Sequence, residues 1–231
     1  MLGDHFGPAL AAAKVRDTLT VTDNRTGKTY ELPVTDGAIN AVDLSKIKSP
    51  AGAVTRSFDP AYMNTVNCIS RVSFINGEKG ILEYRGYPIE QLAEKSTYLE
   101  TAFLVIYGEL PNEKQLKTFT KRIMNKNSGY HHGLEQFIKC FRHDAHPMGM
   151  LSTLIAAMSS FYPECNPAYV GANIYKDTKE RNKHIYRVLG TAPAIAAACY
   201  RHRVGKPIIP PNENLGYVEN FLYMMDAETT D

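Results

Sequence analysis

Two histidines flank one aspartate in His143-Asp144-Ala145-His146, inside the stretch FRHDAHPMGMLSTL. A carboxylate beside an imidazole can orient it as a general base, and paired histidines can begin a metal site. Either chemistry needs more than this stretch. A hydrolytic triad requires a nucleophile placed in space, and a metal requires a third and fourth ligand. His131 and His132 lie nearby, but adjacent residues on a helix point in different directions. No HExxH is present, and no cysteine cluster joins in. A structural role accounts for the same residues. Pro147 suits the first position of a helix, and the residue before a proline is pushed out of the α region. Asp144 or His146 can then accept from the free N–H groups of the new helix. The expectation is a corner between two helices.

Other reactive side chains are scattered. Cys68, Cys140, Cys165 and Cys199 contain no CxxC pair, so free thiols in a reducing compartment are expected. A nucleophilic cysteine would need a histidine partner in space, and Cys140 is near His143 only in sequence. His184 sits among Lys179, Arg181, Lys183 and Arg187 on a polar helix. Two readings are open: a solvated face, or contact with an anion such as a cofactor phosphate. Arg201-His202-Arg203 reads either as cations at a helix C-terminus or as an anion site. GEKGIL lacks the Lys-Ser/Thr pair of a phosphate loop, and Glu83 with Arg85 reads as a weak surface pair.

The elements that must position these groups follow from pattern. The chain has 231 residues, 44% hydrophobic and 22% charged, with a net charge of +2. This is the mix of a globular protein of one or one and a half domains, too near balance to suggest nucleic acid or an anionic membrane. No apolar run is long enough to cross a bilayer. The start, MLGDHFGPALAAAKV, lacks a basic signal-peptide region, and the end, AETTD, is no peroxisomal tripeptide.

Alternation over residues 18–34 predicts a hairpin, followed by an irregular arm over 37–60. RVSFI (71–75) and ILEYRGY (81–87) predict a second hairpin around Asn76-Gly77. From Pro88 onward the pattern is helical. Thr97 and Asn112 are candidate N-caps, and Gly108 is a stop. LEQFIKCF predicts a fourth helix, and MGMLSTLIAAMSSF one that is buried on several sides. A polar helix over about 176–189 is expected to stop at Gly190-Thr191. A small-residue helix APAIAAACYRHRV, a Pro-rich connector and a helix LGYVENFLYMM follow.

These blocks, in this order, resemble a known family. INGEKGILEYRGYPIEQLAEKSTYLETAFLVIYGELPNEKQL is similar to the early hairpin, helix and GELP helix end of citrate synthases. FRHDAHPMGMLST resembles their HPM corner, and LGTAPAIAAACYRHRVGKPIIPPNENLGYVENFLYMM resembles the segment ending in NFL-x-M. The likeness runs from about Asp17 to Met225, and the β arm at its start resembles the bacterial-type and peroxisomal-type enzymes more than the usual animal mitochondrial one.

The resemblance implies a mainly α fold, large-domain helices of citrate-synthase type preceded by a small β region of two hairpins. Residues 1–60 would be the arm with a β-hairpin, and 61–231 a partial large domain without the small catalytic domain. It implies an acyltransferase that condenses acetyl-CoA with oxaloacetate to citrate, in the tricarboxylic acid or glyoxylate cycle. It further implies no metal and no bound cofactor, a homodimer or higher homo-oligomer, and no nucleic acid or membrane partner. In the family a carboxylate removes a methyl proton, one histidine stabilises the enolate and another polarises the ketone, with arginines on the substrate carboxylates. Those groups follow the NFL-x-M segment, which here is Asn220 to Met225 with only DAETTD after it. No catalytic residue and no metal ligand is therefore carried onto this chain, and cofactor-binding residues stay unassigned. Contacts from lysines and arginines of 176–187 to CoA phosphates are open. NKNSGYHH (125–132) lacks the Arg-His pattern expected for NADH control.

The expectation is an N-terminal part of such an enzyme, inactive alone. The alternatives are a non-catalytic helical subunit that pairs with a full-length one, or part of a 2-methylcitrate synthase. The location would be the mitochondrial matrix or peroxisome of a eukaryote, or the bacterial cytoplasm.

Helices over 147–161 and 215–225 are apolar enough to require cover from neighbours, so the chain alone should expose a large apolar patch and self-associate. Size-exclusion chromatography should show oligomers or aggregates; a monomer at all concentrations with one sharp melting transition would contradict this.

Overall fold

Alternating β-branched and polar residues build the first hairpin. The computed structural model describes residues 17–125 and 131–228, in two units, Met1–Ser70 and Arg71–Asp231. In the first unit β1 (Asp17–Asp23) pairs antiparallel with β2 (Lys28–Thr35), from Asp17 opposite Val34 to Asp23 opposite Lys28. Asp23 holds the turn: its carboxylate accepts from Arg25 N and Thr26 Oγ1 at 3.0 and 3.1 Å. The arm after it is more ordered than the sequence suggests. Asp36 and Gly37 adopt φ of 49° and 74° and return the chain into β3 (Ala38–Ile39). An Asp-Gly pair is a strong two-residue turn signal because both central residues need positive φ. A 3-10 turn, Ala41–Lys46, follows, capped by Asn40 Oδ1 on Val42 N at 3.0 Å. Among the described residues of this unit, Leu32 and Ile47 are the buried apolar ones.

The second unit opens with β4 (Ser73–Asn76), β5 (Ile81–Tyr84) and β6 (Tyr87–Pro88), an antiparallel sheet. ILEYRGY is thus not one strand. Arg85 (φ 52°) and Gly86 (φ 84°) make a second two-residue reversal, which sets Tyr84 opposite Tyr87. Pro88 then sits just before α1 (Ile89–Lys95).

Local caps set the next helices. Thr97 and Glu100 form a reciprocal capping box at α2 (Tyr98–Tyr107), and Asn112 and Gln115 do the same at α3 (Glu113–Ile123). Gly108, at φ 96°, stops α2 as its sequence signal indicates. Leu99, Phe103, Phe119 and Ile123 form one buried cluster between these helices. The fourth helix, α4 (His132–Lys139), starts before Gly133 and ends before Cys140. α5 (Pro147–Phe161) buries only Met150, Leu154 and Met158, one stripe at i, i+4, i+8. Its opposite face carries Met148, 59% exposed, so this helix is not buried on several sides. After α6 (Pro167–Val170), a short turn, comes α7 (Thr178–Arg203), and last α8 (Tyr217–Asp226). The chain is mainly α with two small sheets.

The expected stop at Gly190-Thr191 does not occur: α7 runs 26 residues through it, with Pro193 inside. Glycine within a helix costs about 1 kcal/mol and proline about 3 kcal/mol. Packing outweighs this. Ile195, Ala198 and Cys199 join Leu134, Ile138, Met150 and Leu154 in the main core, and Ala194 and Ala197 meet Met224 of α8. Full burial of one aliphatic side chain contributes about 1.5–3 kcal/mol. Proline lacks the N–H that would serve the carbonyl four residues back. That carbonyl belongs to Leu189, and the Tyr217 hydroxyl donates to it at 2.8 Å. The Tyr217 ring also stacks on Tyr98, with centroids 5.1 Å apart.

Replacing Tyr217 with Phe should therefore cost about 1 kcal/mol in urea denaturation at low protein concentration. The loss should shrink in a Pro193→Ala background, where a backbone N–H becomes available to Leu189. Equal losses in both backgrounds would refute the patch.

Candidate functional site

The corner is a structural one. His146 Nδ1 accepts from Met148 N at 3.2 Å and so caps α5. Asp144 takes a two-pronged bond from Arg142, 2.8 Å on each oxygen, and this holds its carboxyl below the usual range. His143, Asp144 and His146 are all exposed, so no water-excluded pocket forms around them. His131 caps α4 through Gly133 N at 3.1 Å and stacks on Phe161. Among the described residues no group of three or more His, Cys, Asp or Glu could hold a metal ion.

The arginines serve backbone carbonyls. Arg85 does not pair with Glu83; its Nη2 and Nε donate to Val105 O at 2.9 and 3.3 Å, near the end of α2. Arg201 is 1% exposed. Its Nη1 donates to Met225 O at 2.9 Å and Ala227 O at 3.0 Å, and its Nε donates to Pro207 O. His202 Nε2 donates to Phe141 O at 3.0 Å. Of the two readings open for residues 201–203, Arg201 and His202 follow the first in a particular form: they satisfy carbonyls of other segments.

The polar half of α7 divides. Arg122, Lys179, Asn182, Lys183, Tyr186 and Arg187 line an open groove. Lys183 lies 3.6 Å from Glu180, and Arg187 is bound to Glu164 at 3.0 Å. His184 is not on a solvated face. It is 8% exposed, and its Nδ1 lies 2.9 Å from Cys165 Sγ. Arg187 Nη1 donates to the same sulfur at 2.7 Å while its guanidinium covers the Tyr162 ring at 3.9 Å. Cys165 is placed by the 3-10 turn Pro163–Cys165, and Tyr175 Oη donates to its carbonyl at 2.8 Å.

Burial favours the uncharged form of both groups. Burial pushes the Cys165 thiol above its ordinary value, with the Arg187 charge opposing. Burial, then the Arg187 charge, pushes the His184 imidazole below 6.5. His184 Nε2 is buried without a hydrogen-bond partner, which costs about 1–3 kcal/mol. The nearest acid is Glu180 Oε2, at 3.8 Å.

The other thiols lack such company. Cys68 and Cys140 are exposed, and Cys140 Sγ reaches only Gln136 O, at 3.5 Å, not His143. Cys199 is buried in the core, and burial pushes its thiol up to about 11. The histidine partner that a reactive cysteine needs therefore belongs to Cys165. The available signal was the spacing of His184 and Arg187, three apart on one helix face. Their partner lies nineteen positions before His184, beyond local pattern.

Known proteins show the same chain order. The family description "Citrate synthase, C-terminal domain" matches residues 61–231. A citrate synthase of Dictyostelium discoideum is 51% identical over 212 residues, which is 91% of this chain and 41% of that protein. The peroxisomal citrate synthase of the same organism is 47% identical over 94% of this chain and 44% of its own length. The crystal structure of citrate synthase from Pyrobaculum aerophilum superimposes with a TM-score of 0.65 at 32% identity, over 80% of this chain and 45% of that one. The chain thus spans about two fifths of the length of these curated relatives. It belongs to the citrate synthase family.

Proposed function

We propose that this chain contributes scaffold helices to the condensation of acetyl-CoA with oxaloacetate, the reaction of citrate synthases, and forms no citrate by itself. The observation that supports this is the pairing of a match over residues 61–231 with an exposed corner as the densest His/Asp stretch among the described residues. Abstraction of a carbon-bound proton needs a carboxylate and electrophilic donors converging in a water-poor site. Asp144 is instead solvated and held by Arg142. The groups that act on substrate belong to sequence other than the residues described. On this reading residues 1–60 are an arm and 61–231 part of the large domain. No metal or cofactor takes part, and acetyl-CoA enters as substrate. Lys179, Lys183 and Arg122 in the α3–α7 groove are where a CoA phosphate would meet cations.

A partner fits the same reading. The exposed faces of α5, around Met148, and of α8, around Val218 and Leu222, suit a second subunit, either an identical chain or a complete enzyme. The names of the peroxisomal relative and of the glyoxysomal citrate synthase of Cucurbita maxima favour a peroxisomal or glyoxysomal location. A 2-methylcitrate synthase would use the same scaffold with propionyl-CoA.

The purified chain, given acetyl-CoA and oxaloacetate, should release no CoA thiol above background. Clear turnover would overturn the proposal. Co-expressed with a full-length citrate synthase, the chain should co-elute with it if it acts as a subunit; elution alone counts against partnership.

A further inference from the structure

Four cysteines share one chain, and one of them has the surroundings of a nucleophile. Sulfur becomes reactive when a base takes its proton and a cation stabilises the thiolate that results. Cys165 has both: His184 Nδ1 at 2.9 Å and Arg187 Nη1 at 2.7 Å. A second, independent feature points the same way. His184 is more than nine-tenths buried, and its Nε2 has no hydrogen-bond partner, with the Glu180 carboxylate 3.8 Å behind it. A core histidine with only a packing role usually satisfies both nitrogens. Here the free nitrogen faces an acid, already 3.6 Å from Lys183, that can also stabilise the ring once it is protonated. We propose that Cys165 is a reactive thiol, activated by His184, Arg187 and Glu180, whose co-reactant is a hydroperoxide such as hydrogen peroxide.

The step balances as follows. The Cys165 thiol proton passes to His184 Nδ1 as the sulfur attacks the nearer peroxide oxygen. An S–O bond forms and the O–O bond breaks. Sulfur is oxidised by two electrons to a sulfenic acid, and the peroxide is reduced. The departing hydroxide takes the proton back from the His184 imidazolium and leaves as water. Arg187 stabilises the negative sulfur during the attack, and Glu180 faces the imidazolium from the other side. Burial opposes this transfer at both partners, so the contacts from Arg187 and Glu180 are what offset it. A thiol of ordinary reactivity would instead depend on the small thiolate fraction present in solution.

The four cysteines make the test internal to one chain. The full 231-residue protein is exposed briefly to hydrogen peroxide, sulfenic acid is trapped with dimedone, and each cysteine peptide is quantified by mass spectrometry. Cys165 should react at least about tenfold faster than the exposed Cys68 and Cys140. The advantage should vanish in urea. It should fall in Arg187→Met and in the more exposed Glu180→Gln, each first shown by circular dichroism to keep its helix content. Between pH 8 and 6.5 the rate at Cys165 should drop less than that of a small free thiol such as glutathione, which falls about tenfold per unit. The charged and titratable groups around the pair are Glu164, Tyr175, Glu180, Lys183 and Arg187. Labelling of Cys165 in native buffer no faster than that of Cys140 would overturn the proposal, as would an advantage that survives urea.

Discussion

Carbonyl groups without donors shape this molecule more than any other single constraint. A helix leaves its last four carbonyls open, and an internal proline opens one more. α2 and α8 carry no basic residue in their last turns, so cations must come from elsewhere. Arg85, bent into position by its own positive φ, reaches the end of α2. Arg201 reaches the end of α8 from inside the core. Tyr217 closes the gap that Pro193 makes in α7. Each bond joins segments far apart in sequence, so the helices are fixed relative to one another at their ends and their break as well as along their faces.

Legibility in the sequence follows the range of the forces. Thr97, Asn112 and Pro147 act on backbone within three residues, and their roles can be read from the chain itself. The Asp36-Gly37 turn was equally local, a signal lost inside a Gly/Ser/Pro-rich stretch. Gly190-Thr191 misleads for the opposite reason. Its breaker signal is real, but the packing of Ile195, Ala198 and Ala194 across three other helices outweighs it. The solvated-face reading of His184 fails in the same way, because a charged neighbourhood in sequence says nothing about the 3-10 turn that folds over it. Family order was readable because several separate blocks fall in sequence; the Cys165 site was not, because its parts come from two elements.

The same residues show how a scaffold and a chemical site can share material. α7 carries small residues where helices must approach, a cation buried among carbonyls at one end, and a histidine–arginine pair at the other. The first two properties belong to packing. The third depends on Cys165 and its turn, outside the helix.

Tyr217 has a consequence for how the chain is made. Ribosomes release a polypeptide N-terminus first, so the longest rod of this fold emerges before the hydroxyl that mends it. Until that tyrosine clears the exit tunnel, the carbonyl of Leu189 has only water to bind, and the ring of Tyr98 has no stacking mate. Completion of the break in α7 is thereby deferred until a segment 28 residues beyond Leu189 has emerged.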